Sequence, residues 1–261
     1  MVRVSGVDVP VAPFQHWQMP ATGTGDVIAD FSVVSGDARI LAYGSMIDNA
    51  SDDAIYVPAR VPPPVPLTVF APAISAAGAL GTRWSSEVVV SAPGVAGAQF
   101  DAHFGGATAT ASVPYKSGNI LRELFNRDGT LGLLRLDLPA GAIATSRIYT
   151  GSYGQFVPFP VLVGGGELVQ LDSSADFRVN LGAANIGVAP IGVRFTAFDS
   201  SGNQLGLTER VLQPGELTQF PLRAFVAGDV RNARVRVEGA VLAYASVVDN
   251  RSGDAIYVPA Q

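Results

Sequence analysis

The chain has 261 residues, 48% of them hydrophobic and 15% charged, with a formal net charge of −5; that supplies ample apolar material for cores and excludes a disordered polymer. The charge is modest and negative, so there is no basic footprint for nucleic acid and no basic run to hold an anionic membrane. Cysteine is absent, which excludes a disulfide framework, thiolate zinc sites and a cysteine nucleophile.

The chain starts "MVRVSGVDVP". This stretch lacks the positive n-region and apolar h-region of a signal peptide, so an export address is expected upstream of Met1. No apolar run approaches the roughly 20 residues that cross a bilayer as a helix, so no membrane span is expected. Next comes "APFQHWQMPATGTGDVIADFSVVSGD", a Pro/Gly turn, a short segment with spaced apolar residues, a Gly/Asp break and a strand. It leads into "LAYGSMIDNASDDAIYVPAR", Leu41 to Arg60. That stretch reads as a hairpin: two β-prone runs around an Asp/Asn/Ser turn, with a proline that cannot donate to a ladder at the close of the second. "ARVPPPVP" (59–66) then forms an extended, semi-rigid polyproline spacer.

The middle of the chain repeats this plan. "TRWSSEVVVSAPG" and "GAQFDAHF" read as strands. In "PYKSGNILRELFNRDGTLGLLRLDLPAG" the segment "ILRELF" makes one or two helical turns, too short to stand alone. "IATSRIYTGSYGQFVPF" (143–159) is a weaker copy of the hairpin. The last third follows suit with "ADFRVNLGAANIG", "GVRFTAFDS" and "QPGELTQFPLRAFVAGDVRNARVRVEG". In the last of these, Val235 and Val237 are expected inward, with Arg234, Arg236 and Glu238 outward. The chain ends on "LAYASVVDNRSGDAIYVPAQ", in which Leu242, Tyr244, Ser246 and Val248 alternate with Ala243, Ala245 and Val247.

The first and last hairpins align without gaps from Leu41/Leu242 to Ala59/Ala260, identical at fourteen of nineteen positions. Trp84 aligns with Phe177, and Val88 with Leu181. Turn signals recur about every ten residues, which favours β-sandwiches over βαβ units. The expected organisation is therefore a partial repeat at 1–60 (the C-terminal half only), a Pro-rich linker at 61–66, and complete repeats at 67–160 and 161–261. Without a spacer between them, the two complete repeats should abut closely. The half repeat would leave sheet edges open to strand addition from a partner. A truncated or internal start is the favoured account of it.

These segments together resemble an immunoglobulin-like β-sandwich repeat found near the C-termini of large secreted bacterial proteins. The resemblance covers nearly the whole chain and departs only at the N-terminus, where half a repeat is missing. It implies an all-β fold of tandem immunoglobulin-like antiparallel sandwiches, two complete plus one N-terminal half repeat. It also implies an extracellular or cell-surface location and a scaffolding or accessory role, and it supplies no catalytic residue.

Site candidates are few. Asp48, Asn49, Asp52 and Asp53, and likewise Asp249, Asn250 and Asp254, place oxygens on hairpin turns as extracellular calcium requires. Such residues more commonly bond their own backbone, and the middle copy turns on Thr150, Gly151 and Ser152 with no acid. His16 and His103 lie far apart in the sequence, without metal-helix spacing, and read as structural or solvent-facing. Ser146 of "ATSRIY" lacks a nucleophile elbow. The glycines of 104–108 and 164–167 lack phosphate-loop spacing. Trp17, Trp84, Tyr115 and Tyr153 are candidates for a sugar platform. The Trp84–Phe177 alignment argues core for Trp84, whereas Trp17 and Tyr153 are the better surface candidates. No catalytic residue, cofactor or metal is expected. The leading expectation is a non-catalytic stalk, spacer or adhesion module with a protein or glycan partner at the cell surface. The alternative is a carbohydrate- or ligand-binding accessory region of a secreted hydrolase.

Overall fold

Runs in which every second residue is apolar form strands here, because that period sets one face against a core. The computed structural model describes residues 1–21, 28–37, 39–47, 49, 54–79, 82–159 and 164–261. It is almost all β, built of antiparallel sheets. The chain divides into two units: Met1–Ser45 with Tyr56–Ala59, and Met46–Ile55 with Arg60–Gln261. The boundary expected at 160/161 falls among residues outside the described ones, as do Asp48, Asp52 and Asp53.

In the first unit β1 (Val2–Val4), β2 (Val7–Val9) and β3 (Phe31–Val33) form a sheet in the order β2-β1-β3. Ser5 and Gly6 join β1 to β2 with positive φ at both residues (46° and 87°), the two-residue turn whose twist suits a hairpin. Val2, Val4 and Val9 are buried, while Arg3 and Asp8 pair across the other face (2.6 Å). The first hairpin follows as a two-stranded sheet of β4 (Tyr43–Ile47) and β5 (Ala54–Pro58).

The second unit carries two sandwiches. Its strands are β6 (Leu67–Ser75), the small pair β7 (Gly78–Ala79) and β8 (Thr82–Arg83), β9 (Ser85–Ser91), β10 (Gln99–Phe104), β11 (Ala107–Ser112) and β12 (Tyr115–Ser117). Helix α1 (Ile120–Phe125) comes next, then β13 (Leu131–Leu138), β14 (Ile143–Thr150) and β15 (Tyr153–Val157). The remainder is β16 (Gly166–Ser173), β17 (Phe177–Ala184), β18 (Ile191–Phe198), β19 (Gln204–Leu212), β20 (Leu217–Pro221), a 3-10 turn (Leu222–Ala224), β21 (Val230–Glu238), β22 (Leu242–Asp249) and β23 (Ala255–Pro259).

The first sandwich stacks sheet β11-β10-β13-β6 on sheet β12-β9-β14-β15. The second stacks β19-β18-β21-β16 on β20-β17-β22-β23, the same order strand for strand. Two irregularities recur as well. Ala73 on β6 and Gln170 on β16 both take positive φ (64° and 58°) at a bulge against the neighbouring strand. The short helix α1 and the 3-10 turn occupy the same place between strands. Helix α1 starts at Asn119, whose side chain accepts from Arg122 N. Glu123 reaches back to the Gly118 and Asn119 amides, and Asn126 ends the helix at φ 51°. Ile120 and Leu121 anchor it in the core.

Val235 and Val237 point into the second core, and Arg236 and Glu238 out, as their spacing predicts. Strand β22 differs: it is buried on both faces. Ala243 and Ala245 line the core of the second sandwich, with Val247 packed against it. Tyr244 belongs to the core of the first sandwich, and Leu242 clusters with Leu133 and Ala184. The outer face of sheet β20-β17-β22-β23 therefore closes the side of the first sandwich where edge strands β6 and β15 meet. Within the proline-rich stretch, the Pro63 carbonyl accepts from Gly141 N (2.7 Å).

Candidate functional site

The most developed constellation in the second unit is this junction between sandwiches. The Tyr244 ring is fully buried and lies across Gly182, where even a methyl group would overlap it. Its hydroxyl donates to Gln219 Oε1 (2.7 Å), and its ring stacks on Tyr257 with centroids 5.4 Å apart. Ser246 Oγ donates to Gln155 Oε1 of the first sandwich (3.0 Å), a buried polar contact. Leu242 meets Leu133 beside Phe70 and Leu217. Burial pushes the Tyr244 and Tyr257 phenols well above their ordinary value, since neither charged form would be solvated there. The chemistry is that of a dry joint with a satisfied polar rim.

A second constellation lies on the outer face of sheet β11-β10-β13-β6. Phe100, Ala102 and Phe104 fill the core, so Asp101 and His103 between them face out. On β13, Arg135 and Asp137 face out for the same reason. Asp137 accepts from Thr68 Oγ1 (2.6 Å) and from Arg135 through two nitrogens (3.1 and 2.8 Å), and it pairs with His103 Nε2 (2.8 Å). The other ring nitrogen of His103 meets Thr108 Oγ1 (2.9 Å), and Thr110 donates to Asp101 (2.6 Å). Burial pushes the Asp137 carboxyl up, but hydrogen bonds from Thr68, His103 and Arg135 outweigh it and hold the group below the usual carboxylate range.

An acid, an imidazole and a hydroxyl in series resemble a hydrolytic relay in outline only. Such a relay needs N–H donors aimed at an oxyanion above the hydroxyl, whereas ladder N–H groups lie in the plane of the sheet. The array ties four strands together, β6, β10, β11 and β13. Alternation in "FDAHF" and "LLRLDL" sets Asp101, His103, Arg135 and Asp137 on outer faces, whereas their meeting with Thr68 and Thr108 depends on which strands are neighbours.

The other candidates separate. Asp249 Oδ1 accepts from the Arg251 and Ser252 amides (2.6 and 2.9 Å), and these bonds hold its carboxyl below the ordinary range. Asn250 accepts from Arg178, and Asp254 accepts from its neighbour's amide. The turn's oxygens thus serve its own backbone and one arginine. Among the described residues no three His, Asp or Glu side chains gather as a metal-holding group. Ser146 is buried and donates to the Val157 carbonyl (2.6 Å), closing β14 on β15. Gly105 and Gly106 turn β10 into β11, and Gly166 opens β16.

Trp84 packs half-buried on the first core, and Tyr115 meets Phe100 edge-on at 5.4 Å. Tyr153 is half-buried at the start of β15. Trp17 is exposed in the first unit, beside His16, whose ring stacks on Tyr43 and whose Nε2 meets the Tyr43 hydroxyl (2.8 Å). Tyr43 in turn stacks on Tyr56 at 5.1 Å. The sequence signal for this pair is the identity of the two hairpins, since Tyr43 and Tyr56 stand where Tyr244 and Tyr257 do. No described helix is long and apolar enough to cross a membrane. No protein-family model matches the chain, and no curated protein matches it at a significant level.

Proposed function

We propose that the chain is a non-catalytic structural and interaction module of a secreted or cell-surface bacterial protein, working as a stalk, spacer or adhesion repeat. The observation that carries this reading is the dry junction. Tyr244 of the second sandwich completes the core of the first, which supports a spacer that holds a fixed distance. In this reading residues 67–160 and 161–261 are two repeats of one immunoglobulin-like design. Residues 1–60 are the closing half of another, joined through the linker 61–66. A protein partner at the cell surface belongs to the same proposal. Immunolabelling of intact cells that make the protein tests it. Labelling without permeabilisation is expected, and signal only after lysis overturns the reading.

A further inference from the structure

The tyrosine face of the hairpin occurs twice, and among the described residues only one of the two lies under another sandwich. In the last hairpin Leu242 and Tyr244 are 4% and 0% exposed, because the side of the first sandwich lies against them, and Val248 is 2% exposed. In the first hairpin the matching Leu41 and Ile47 are 101% and 56% exposed. Tyr56, which corresponds to the half-buried Tyr257, is 58% exposed. The stacked pair itself is kept: Tyr43 on Tyr56 at 5.1 Å, against Tyr244 on Tyr257 at 5.4 Å.

The complementary side is also left open once. On the edge strand that closes the first sandwich, Gln155 pairs across the ladder with Ile148, so it points between the sheets. It is 7% exposed under Ser246 of the next sandwich. The hairpin match puts Ile256 of β23 at the same place. It pairs with Val247 and points between the sheets, yet it is 63% exposed. A large apolar side chain aimed into a core and left in water marks a missing cover. Among the described residues the structure thus holds one tyrosine face that meets no sandwich, with His16 stacked on Tyr43, and one open sandwich side, of the two kinds that meet at its own junction.

We infer that copies of this chain join head to tail, the Tyr43–Tyr56 face of one seating on the Ile256 side of the second sandwich of the next. The contact is heterologous, so it builds open chains or rings rather than a two-fold dimer. It should be weaker than the internal junction. Where the first sandwich offers Phe70 and Leu133 beside its bulge, the matching positions of the second carry Glu167 and Arg234, already paired with each other (3.1 Å). The apolar centre is then Tyr43, Tyr56 and Ile256, with an ion pair on the rim.

Sedimentation velocity on the full chain, from roughly 1 μM to 1 mM (weak contacts lie in this range), tests the inference. Species larger than a monomer are expected to grow with concentration. Tyr56→Asp and Ile256→Asp should each weaken association at least tenfold. Mixing the two variants should restore association but stop at a one-to-one dimer, because each keeps the face the other lacks. A wild-type chain that stays monomeric at 1 mM overturns the inference, whether or not either variant folds. So does a mixture no larger than its parts while both variants melt cooperatively, or association that survives in Ile256→Asp alone. A monomeric wild type whose Tyr43–Tyr56 face retains glycans on an array also overturns it, and assigns that face to sugar.

Discussion

Tyr244 ties its own sheet to the neighbouring sandwich. It hydrogen-bonds within its own sheet, stacks on Tyr257 and fills the core of the neighbouring sandwich. Replacing it with alanine should cost about 3 kcal/mol or more, as for other buried aromatics. Tyr244→Phe should cost only about 1 kcal/mol, the worth of one hydrogen bond, and urea melts of the two variants check the ratio. The same burial gives alkaline sensitivity. Both phenols are raised in the folded state, so the stability they allow is complete below the ordinary phenol value of about 10 and falls as pH rises past it. Absorbance titration should show their ionisation arriving with unfolding rather than before it. Asp137 works in the opposite direction. Its folded carboxyl is depressed, so its contribution is present above about pH 4 and lost as pH falls through the folded value. Asp137→Asn should therefore lower the urea midpoint at pH 7 and lower it less as the pH is brought down into the acid range.

At the scale of elements, helix α1 is six residues long and survives through its ends and its anchors. Asn119 caps it, Glu123 closes the box, and Ile120 and Leu121 are sunk in the core. Asn119→Ala should cost about 1 kcal/mol, read as a lower melting midpoint of the protein without change of fold. Alternation made most strands legible: β10, β13 from Leu134 and β21 from Ala233 send every second residue inward, as their sequences state. Strand β22 was legible as a strand but not as a doubly buried one. Leu242, Tyr244, Ser246 and Val248 look like an ordinary outer face until another body covers them. The Asp137 array is not written in any one strand, for a related reason. Its members come from β6, β10, β11 and β13, and which strands neighbour one another is a property of sheet order. The matching bulges at Ala73 and Gln170 carry no glycine to announce them.

For the whole molecule, the joint predicts shared unfolding. Sandwiches of which one completes the core of the other should melt as one transition, whereas sandwiches on a loose tether would melt as two. Calorimetry on the full chain should give a single main transition for both. Ser246→Asp places a charge at the joint without touching the core of its own sandwich, and should split that transition. A split wild-type transition would separate the two bodies and remove the basis for a stiff spacer. The sequence alone determined the class of the fold and its repetition, because strand period, turn chemistry and the copied hairpins are local facts written along one chain. Tertiary structure alone decided which of two near-identical tyrosine faces is covered. Burial depends on what lies opposite: Tyr43 and Tyr244 are set in almost the same words, but Tyr244 meets a whole sandwich and Tyr43 meets the His16 ring.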